Sequence, residues 1–414
     1  MHAIHKILAK KAGLERVEAG EIVNCNIDFV EINDLYLQTI YSFWEMGGER
    51  VFNKDRVAFV FDHYSPAPTI KTAQIHKEMR EFVKEQGLTH HFDINKGVCH
   101  QVLPEAGLIY PGMIVVATDS HTTTHGAFGA FGTGVGATDM ASILISGKLW
   151  FRVPEVIKIE INGSPAENTY AKDVILHILG KVKADGAVYK AIEFCGDYVE
   201  KLGVSERMTI CNMAVEMGAK TAYMKPNEAV LEYVRARTDV EFEIFETDED
   251  FEYDEHLVFD INGLKPQLAA PHSVDNNIAV KDAEGVKIDQ AFIGSCTGGR
   301  FEDIEAAWKV LKGKKIHPDV RLVIIPASDE VLLKIMEKGY MRDLIEAGAT
   351  FAAPGCGPCL GTHAGILADG EVCITSTNRN FPGRMGSTKA SIYLASAMTV
   401  ATSALYGYIR EPIS

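Results

Sequence analysis

The stretch RVAFVFDHYSPAPTIKTAQIHKEMREFVKEQG (56–87) holds a short apolar run followed by an amphipathic helical pattern. After Arg56, the segment 56–61 is apolar, as a buried strand is, and residues 69–87 repeat apolar positions with helical spacing. Strands that alternate with helices indicate α/β layers, so we predict an α/β fold with mainly parallel sheets. The same alternation continues in predicted strands at 113–117, 156–161, 288–294 and 321–327, and in a predicted helix at 303–314.

The length of the chain predicts how this pattern is divided into domains. At roughly 100–200 residues per domain, 414 residues correspond to two or three domains. We expect a first α/β domain over 1–153, closed by a helix that ends in LWFRV (149–153). A second α/β domain is expected over 154–264, including an acidic segment, 242–260, interpreted as a solvated connection. A third α/β domain over 265–414 carries the cysteine-rich loops.

Composition and charge exclude several classes of protein. Hydrophobic residues make up 47% and charged residues 23% of the chain, which excludes intrinsic disorder, collagen and coiled coil. The 41 Lys and Arg against 56 Asp and Glu give a formal charge of −15, which argues against nucleic acid as a partner. The N-terminus lacks the apolar core of a signal peptide. The apolar stretch 393–409 is shorter than a membrane span of roughly 20 residues, so we expect a buried helix and a cytoplasmic protein without a membrane partner.

Three of the eight cysteines lie in loops rich in Gly and Pro. Cys296 belongs to IGSCTGGR, and Cys356 and Cys359 belong to APGCGPCLGTHAG. Three interpretations of these residues are open: a turn with two inert thiols, a zinc site with Cys373 or His363 as fourth ligand, or an iron–sulfur cluster. In the last case three thiolates would leave one iron open to bind substrate as a Lewis acid.

Paired acidic and imidazole residues follow two of the predicted strands. Asp62 and His63 come after 56–61, and Asp119, Ser120 and His121 come after 113–117. A carboxylate beside an imidazole can orient it and raise its basicity. A Ser-His-Asp hydrolase is disfavoured, because three consecutive side chains do not converge on one point. The glycines of GAFGAFGTGVG (126–136) do not fit a nucleotide-binding pattern and indicate close backbone packing.

Eight motifs together resemble the aconitase superfamily, and most closely the 3-isopropylmalate dehydratase large subunits with their homoaconitase relatives. In chain order they are VFDHYSP, GVCHQ, TDSHTTTHGAFG, AIEF, MTICNMAVEMGA, GSCTGGR, PGCGPCLG and NRNFPGRMGS. The resemblance covers essentially the whole chain. It implies three α/β domains around one [4Fe–4S] cluster that is held by Cys296, Cys356 and Cys359.

The resemblance also implies roles for further residues. It assigns Asp62, His63, Asp119 and His121 to proton transfer near the departing hydroxyl, and it pairs His100 with Glu193 across the cleft. It assigns Ser120, Asn378, Arg379 and Arg384 to substrate binding, since guanidinium groups suit the carboxylates of a diacid. The implied reaction isomerises 2-isopropylmalate to 3-isopropylmalate by dehydration and rehydration, in leucine biosynthesis.

Three alternatives to this activity remain. The first two are a homoaconitase and a 2,3-dimethylmalate or other alkylmalate dehydratase, because NDLYLQTIYSFWEMGG (33–48) is bulkier and more aromatic than is usual in the family. The third is a non-enzymatic iron-sensing or binding protein, although the charge of −15 argues against RNA.

The resemblance further implies a partner, because this chain contains no counterpart of the swivel domain of single-chain aconitases. We therefore expect a separate small subunit that supplies the catalytic serine. The isolated chain should bind a cluster and be inactive or nearly so.

Overall fold

The structure, a computed structural model, describes residues 1–412. Within this range it has three larger sheets, each flanked by helices, and a two-stranded antiparallel pair. The predicted α/β fold with mainly parallel sheets is confirmed. Each of the five predicted strands overlaps an observed strand, and the predicted helices at 69–87 and 303–314 overlap observed helices.

The first sheet has five parallel strands in the order β4-β3-β2-β5-β6. Its strands are β2 (Phe29–Asn33), β3 (Val57–Val60), β4 (His90–Phe92), β5 (Ile114–Ala117) and β6 (Phe131–Gly134). Its helices are α1 (Ala3–Ala12), α2 (Leu37–Glu45), α3 (Ile70–Gln86), α4 (Cys99–Glu105) and α5 (Ala137–Ser146). A capping box formed by Thr69 and Thr72 starts helix α3, and Gly87 in the left-handed conformation stops it after Gln86. These two caps fix the ends of the helix.

The antiparallel pair joins β1 (Ile22–Asn26) to β7 (Lys148–Arg152). The sequence LWFRV is therefore a strand and not the end of a helix. The preceding helix α5 ends at Ser146, because the next residue, Gly147, has a left-handed φ of +67°. Strand β7 begins directly after this glycine. The alternation of exposed and buried residues in β1 shows why the segment is extended: one face packs on the core and the other faces solvent.

The second sheet has four parallel strands in the order β10-β9-β8-β11. Its strands are β8 (Val156–Asn162), β9 (Ala191–Cys195), β10 (Thr221–Tyr223) and β11 (Glu255–Asp260). Its helices are α6 (Ala171–Val182), α7 (Asp197–Lys201), α8 (Val204–Asn212) and α9 (Glu228–Arg235), with a 3-10 turn at Met213–Met217. The acidic segment is thus only partly a connection, because its last six residues form the edge strand β11.

The third sheet has seven strands in the order β13-β12-β18-β17-β14-β15-β16, parallel except at β12 and β13. Its strands are β12 (Gln267–Ala269), β13 (Asn277–Ala279), β14 (Gln290–Ile293), β15 (Arg321–Ile324), β16 (Thr350–Phe351), β17 (Val372–Thr375) and β18 (Ser391–Leu394). Its helices are α10 (Ser295–Gly298), α11 (Phe301–Leu311), α12 (Asp329–Glu337), α13 (Tyr340–Ala347) and α14 (Ala397–Tyr406).

Helix α14 is buried along most of its length, as predicted for the apolar stretch at 393–409. No helix in residues 1–412 is long and apolar enough to cross a membrane.

The three sheets take their strands from separate stretches of chain and pack against one another. One hydrophobic cluster combines Val60 of the first sheet with Ile157 of the second and Phe292 of the third. The first and third stretches also meet through backbone, since the Val98 amide donates to the carbonyl of Ala327 at 2.8 Å. The boundaries at 153/154 and 264/265 stay a prediction, but the site described below lies where the three stretches converge.

A carboxyl group at this contact makes stability depend on pH. Glu105 accepts hydrogen bonds from Gln101 (2.7 Å) and from Ser328 (2.9 Å) across the contact. Burial raises the pKa of Glu105 from 4.5 to about 7 despite these bonds. A raised pKa means that the folded state favours the neutral acid. Its contribution to stability is therefore complete below about pH 4.5 and is lost as the pH rises through 7.

We expect Glu105→Gln, which mimics the neutral acid, to raise the melting temperature at pH 8 and to leave it nearly unchanged at pH 5. Thermal unfolding followed by circular dichroism at both pH values would test this. The exposed Glu337→Gln on α12 is the matched control and should change neither value. An equal effect of Glu105→Gln at pH 5 and pH 8 would contradict the proposed titration.

Candidate active site

The polar residues of the site follow the carboxyl ends of adjacent parallel strands. Asp34 follows β2, Asp62 follows β3 and Asp119 follows β5, and these strands are neighbours in the sheet. Because parallel strands end at the same edge, the three carboxylates lie together beyond it, where open α/β sheets bind ligands. All three are held by hydrogen bonds from imidazole or backbone groups.

The first acidic–imidazole pair is Asp62 with His63. Asp62 Oδ1 lies 2.6 Å from His63 Nδ1, and its Oδ2 accepts the amide of Cys99 at 2.9 Å. Burial alone would lower the pKa of His63, but Asp62, Asp119 and Asp34 outweigh it and raise this pKa to about 9. His63 is therefore an imidazolium at neutral pH and can donate a proton.

Asp34 holds the turn that carries His63. Its carboxylate accepts the amides of His63 (3.0 Å) and Tyr64 (2.8 Å) and lies 2.9 Å from His76 Nε2. Asp34 and His76 are both buried, and the His76 ring stacks on Phe61. Neither residue was assigned a role from the sequence, although Asp34 follows a strand in the same way as Asp62.

The second pair is Asp119 with His100, and it extends to His121. Asp119 Oδ1 lies 2.9 Å from His100 Nε2 and accepts the backbone amide of His121 at 2.7 Å. Burial would raise the pKa of Asp119, but these hydrogen bonds and the two imidazoles hold it well below its usual value. Asp119 is therefore ionised and fixes the orientation of the His100 ring.

Glu216 completes this network from the second stretch of chain. Its Oε1 lies 2.7 Å from His121 Nε2 and accepts Arg379 Nε at 2.8 Å. Burial would raise the pKa of Glu216, but the contacts with His121 and Arg379 lower it. Sequence reasoning missed this residue, although the motif MTICNMAVEMGA contains it, because the only visible signal was one carboxylate among apolar residues.

The predicted pairing of His100 with Glu193 is wrong. Glu193 lies on β9 and accepts Tyr253 at 2.6 Å, and His2 Nε2 lies 2.8 Å from its carboxylate. It thus ties the N-terminus and the acidic segment to the second sheet, and it does not line the cavity. The strand could be predicted from AIEF, but the face on which Glu193 projects depends on what packs against that face.

The three loop cysteines open into one buried cavity with both pairs. Cys296, Cys356 and Cys359 line it together with Asp62, His63, His100, Asp119, His121, Asn378 and Arg384. Position 357 favours glycine for two reasons. Its φ of +56° lies in the left-handed region, and a Cβ there would lie 2.2 Å from Ile325 Cδ1. Ser295, which precedes Cys296, holds a positive φ of 69° without being glycine, a sign of local strain at this loop.

Nitrogen donors point at the sulfur atoms. Asn212 Nδ2 and Asn378 Nδ2 lie 3.1 and 3.3 Å from Cys296 Sγ, and Arg384 Nη2 lies 3.5 Å from Cys359 Sγ. Without a cation, burial raises the pKa of Cys296 to about 11. A cysteine must lose its proton to bind a metal, and the metal supplies the free energy for that loss. The N–H···S hydrogen bonds stabilise the resulting negative sulfur, so this donor set suits metal-binding thiolates.

The zinc alternative lacks its predicted fourth ligand. Cys373 lies inside β17 with its Sγ 3.6 Å from the carbonyl of Ile374, and His363 Nε2 lies 3.0 Å from the carbonyl of His63. Neither lines the cavity. Cys99 does line it, but its Sγ lies 3.7 Å from His100 Nδ1 on the same helix. Three converging thiols with N–H donors to sulfur fit an iron–sulfur cluster with one open iron.

Of the predicted substrate-binding residues, the structure brings three to the cavity and its network. Asn378 and Arg384 line the cavity, and Arg379 reaches Glu216. Ser120 does not: it lines a separate groove with Tyr36 and Lys220, on the other side of the turn that bears Asp119. The turn itself is tightly packed, as the glycine-rich motif predicted, since a Cβ at Gly132 would lie 2.2 Å from the carbonyl of Thr122.

Comparisons with known proteins agree with this geometry. Residues 6–407 match the model of the Aconitase family (aconitate hydratase). The chain is 51% identical to the 3-isopropylmalate dehydratase large subunit 1 of Methanopyrus kandleri, over 98% of this chain and 97% of that protein. It is also 51% identical to the probable methanogen homoaconitase large subunit of Methanothermobacter thermautotrophicus, over 100% and 97%. Its fold is similar to that of the crystal structure of Thermococcus kodakaraensis aconitase X (holo-form), with a TM-score of 0.52 at 13% identity over 100% and 94% of the two chains.

We expect Cys356→Ser to reduce the iron and acid-labile sulfide retained after anaerobic reconstitution to a small fraction of the parent value, because it removes one of three thiolates. The control is Cys195→Ser, which changes a half-buried cysteine on β9 outside the cavity and should retain full content. Equal iron and sulfide contents in both variants would exclude Cys356 as a ligand.

Proposed function

The chain belongs to the aconitase family, and we propose that it is the large subunit of a hydro-lyase that isomerises 2-isopropylmalate to 3-isopropylmalate, with a place in leucine biosynthesis. The observation that carries the proposal is the cavity itself. It joins three thiols, two Asp–His pairs and a half-buried arginine within one chain. Eliminating and re-adding water on a hydroxy diacid requires a metal for the hydroxyl, an acid, a base and cationic groups for the carboxylates.

We propose that Cys296, Cys356 and Cys359 hold one [4Fe–4S] cluster. When bound, the cluster supplies a Lewis acid for the substrate hydroxyl at the iron that no cysteine ligates. The thiolate set requires a reducing compartment, which supports placing the protein in the cytoplasm. The eight cysteines are all free in the structure, in keeping with such a compartment.

His63 is the best candidate for protonating the leaving hydroxyl. It faces the cavity, it is held by Asp62 through Nδ1, and its raised pKa keeps a proton available at neutral pH. His100 is oriented by Asp119, and His121 by Glu216. These rings can pass protons while their carboxylates fix the tautomer.

Arg384 is the best candidate for binding a substrate carboxylate. Its Nε is buried and has no hydrogen-bond partner in the described part of the chain, while its Nη2 lies near Cys359 Sγ. A guanidinium group with a free N–H at a cavity suits a carboxylate. Asn378 lines the same cavity. Arg379 forms an ion pair with Glu216, so its role in substrate binding would require the second guanidinium edge to face the substrate. Ser120 remains a proposal that would require the substrate or the partner to reach the neighbouring groove.

We propose that a small subunit completes the site. The relatives from Methanopyrus kandleri and Methanothermobacter thermautotrophicus are both named large subunits, and they match nearly the whole of this chain. Among the described residues that line the cavity, the only serine is Ser295, whose hydroxyl lies 3.4 Å from that of Thr297. The base that removes the carbon proton would therefore come from the partner, as a serine of its swivel domain.

A homoaconitase is the second candidate, because one relative at the same 51% identity carries that name. A 2,3-dimethylmalate or other alkylmalate dehydratase is a third candidate. The segment around Tyr36, which lines the groove next to Asp119, is where a different substituent would be recognised.

The activity is tested with the reconstituted chain and its small subunit under anaerobic conditions. Formation of the unsaturated diacid is followed by ultraviolet absorbance with isopropylmalate, homologous tricarboxylates and dimethylmalate as substrates. We expect isopropylmalate to be preferred and the isolated chain to be inactive or nearly so. A preference for a tricarboxylate would support homoaconitase, and equal activity without the small subunit would contradict the need for a partner.

We expect Glu216→Gln to lower kcat by about 100-fold or more, because it removes the charge that orients His121 and pairs with Arg379. Glu193→Gln should leave kcat nearly unchanged and lower the melting temperature, because Glu193 contacts His2 and Tyr253 outside the cavity. Steady-state kinetics and thermal unfolding of both variants separate the two roles. A large loss of kcat in Glu193→Gln alone would restore its predicted catalytic role.

A further inference from the structure

Lys172, on helix α6, is a buried cation that contacts no carboxylate within residues 1–412. Its side chain is inside the protein, with the residue 4% exposed. The ammonium donates to the carbonyls of Thr377 (2.6 Å) and Ser376 (3.1 Å) and to Thr297 Oγ1 (3.2 Å). The neighbouring carboxylate of Asp173 is turned elsewhere, where it accepts the amides of Tyr170 and Gln267.

The groups that Lys172 contacts flank the cysteine cavity on two sides. Thr297 directly follows Cys296, and Thr377 directly precedes Asn378, whose side chain donates to Cys296 Sγ. Thr297 also donates to the carbonyl of Ser376 at 2.9 Å, so one ammonium and one hydroxyl hold both loops together.

The two loops are also in direct van der Waals contact, because a Cβ on Gly298 would lie 2.2 Å from Ser376 Cβ. The loop that carries Cys296 therefore packs directly on residues 376–378, and the ammonium bonds to both segments.

Burying an ammonium among neutral groups is costly, and the cost falls when an anion lies nearby. Burial lowers the pKa of Lys172 to about 8, and the nearby Cys296, Asp303, Cys359 and Glu216 act in the opposite direction. The cation therefore remains the main form at neutral pH. The carboxylates of Asp303 and Glu216 are engaged elsewhere, by the Arg300 amide and by His121 and Arg379. The group held by the three thiolates, which carries net negative charge when bound, would add an anion next to the loops that the ammonium contacts.

We propose that Lys172 is a positioning residue of the iron–sulfur site, which fixes both ligand-bearing loops and compensates the negative charge of the bound cluster. This inference rests on the cluster assigned in the proposed function, but not on the identity of the substrate. A fixed positive charge favours the more reduced, more negative state of a cluster, so it raises the midpoint potential. A lysine that only satisfies backbone carbonyls would have no such effect once another donor replaced it.

Two substitutions separate charge from hydrogen bonding. Lys172→Gln keeps an N–H donor and removes the charge, whereas Lys172→Met removes both. Lys181→Met is the control, because Lys181 lies on the exposed side of the same helix. The full chain is reconstituted with iron and sulfide under anaerobic conditions. The measurements are the midpoint potential by redox titration with electron paramagnetic resonance, the rate of iron loss to a chelator, and thermal unfolding before reconstitution.

We expect both Lys172 variants to have a lower midpoint potential than the parent and to lose iron about tenfold faster or more. Lys181→Met should match the parent in both. A parent-like potential and iron retention in Lys172→Gln would overturn the charge role, even if Lys172→Met failed to fold. A parent chain that takes up no cluster would overturn this inference together with the cofactor assignment, whereas a loaded parent that ignores isopropylmalate would contradict only the substrate.

Discussion

The site depends on the compensation of buried carboxylates at the carboxyl edge of the first sheet. Parallel pairing of β2, β3 and β5 brings the buried Asp34 and Asp62 together with the half-buried Asp119 in an environment of low dielectric constant. An unpaired carboxylate there would cost several kcal/mol. Each therefore binds an imidazole, and the need to compensate the acids is what orients the rings that face the cavity.

The remaining polar groups of the site come from the other two stretches of chain. The second stretch contributes Glu216 and Asn212, and the third contributes the thiols and Arg384. No single sheet contains both an acid–base pair and a sulfur ligand. The cavity therefore exists only when all three stretches are packed, which explains why contacts such as that of Val98 with Ala327 matter to the chemistry as well as to stability.

The structure also shows two different uses for buried ionic groups. Glu216 is shared by His121 and Arg379 at the cavity, and Glu193 is shared by His2 and Tyr253 away from it. Both are buried carboxylates next to a strand or turn of the second sheet, and both lie in motifs that are typical of the family. Burial and a shifted pKa therefore do not distinguish the carboxylate at the cavity from the one that stabilises the fold. The difference is which neighbouring surface each side chain faces.

The sequence by itself determined the α/β class, most of the strands and helices, and the loops that carry the three cysteines of the cavity, because apolar periodicity and Gly/Pro-rich loops are local properties of the chain. It also placed Asp62, His63, Asp119 and His121 after strands, and parallel sheets bring such ends together. Only the tertiary structure decided the partners. His121 and Glu216 are 95 residues apart, and Lys172 reaches Thr377 across 205 residues. Such pairs depend on how separate sheets pack against each other, and no local pattern encodes the face on which a buried side chain meets another sheet.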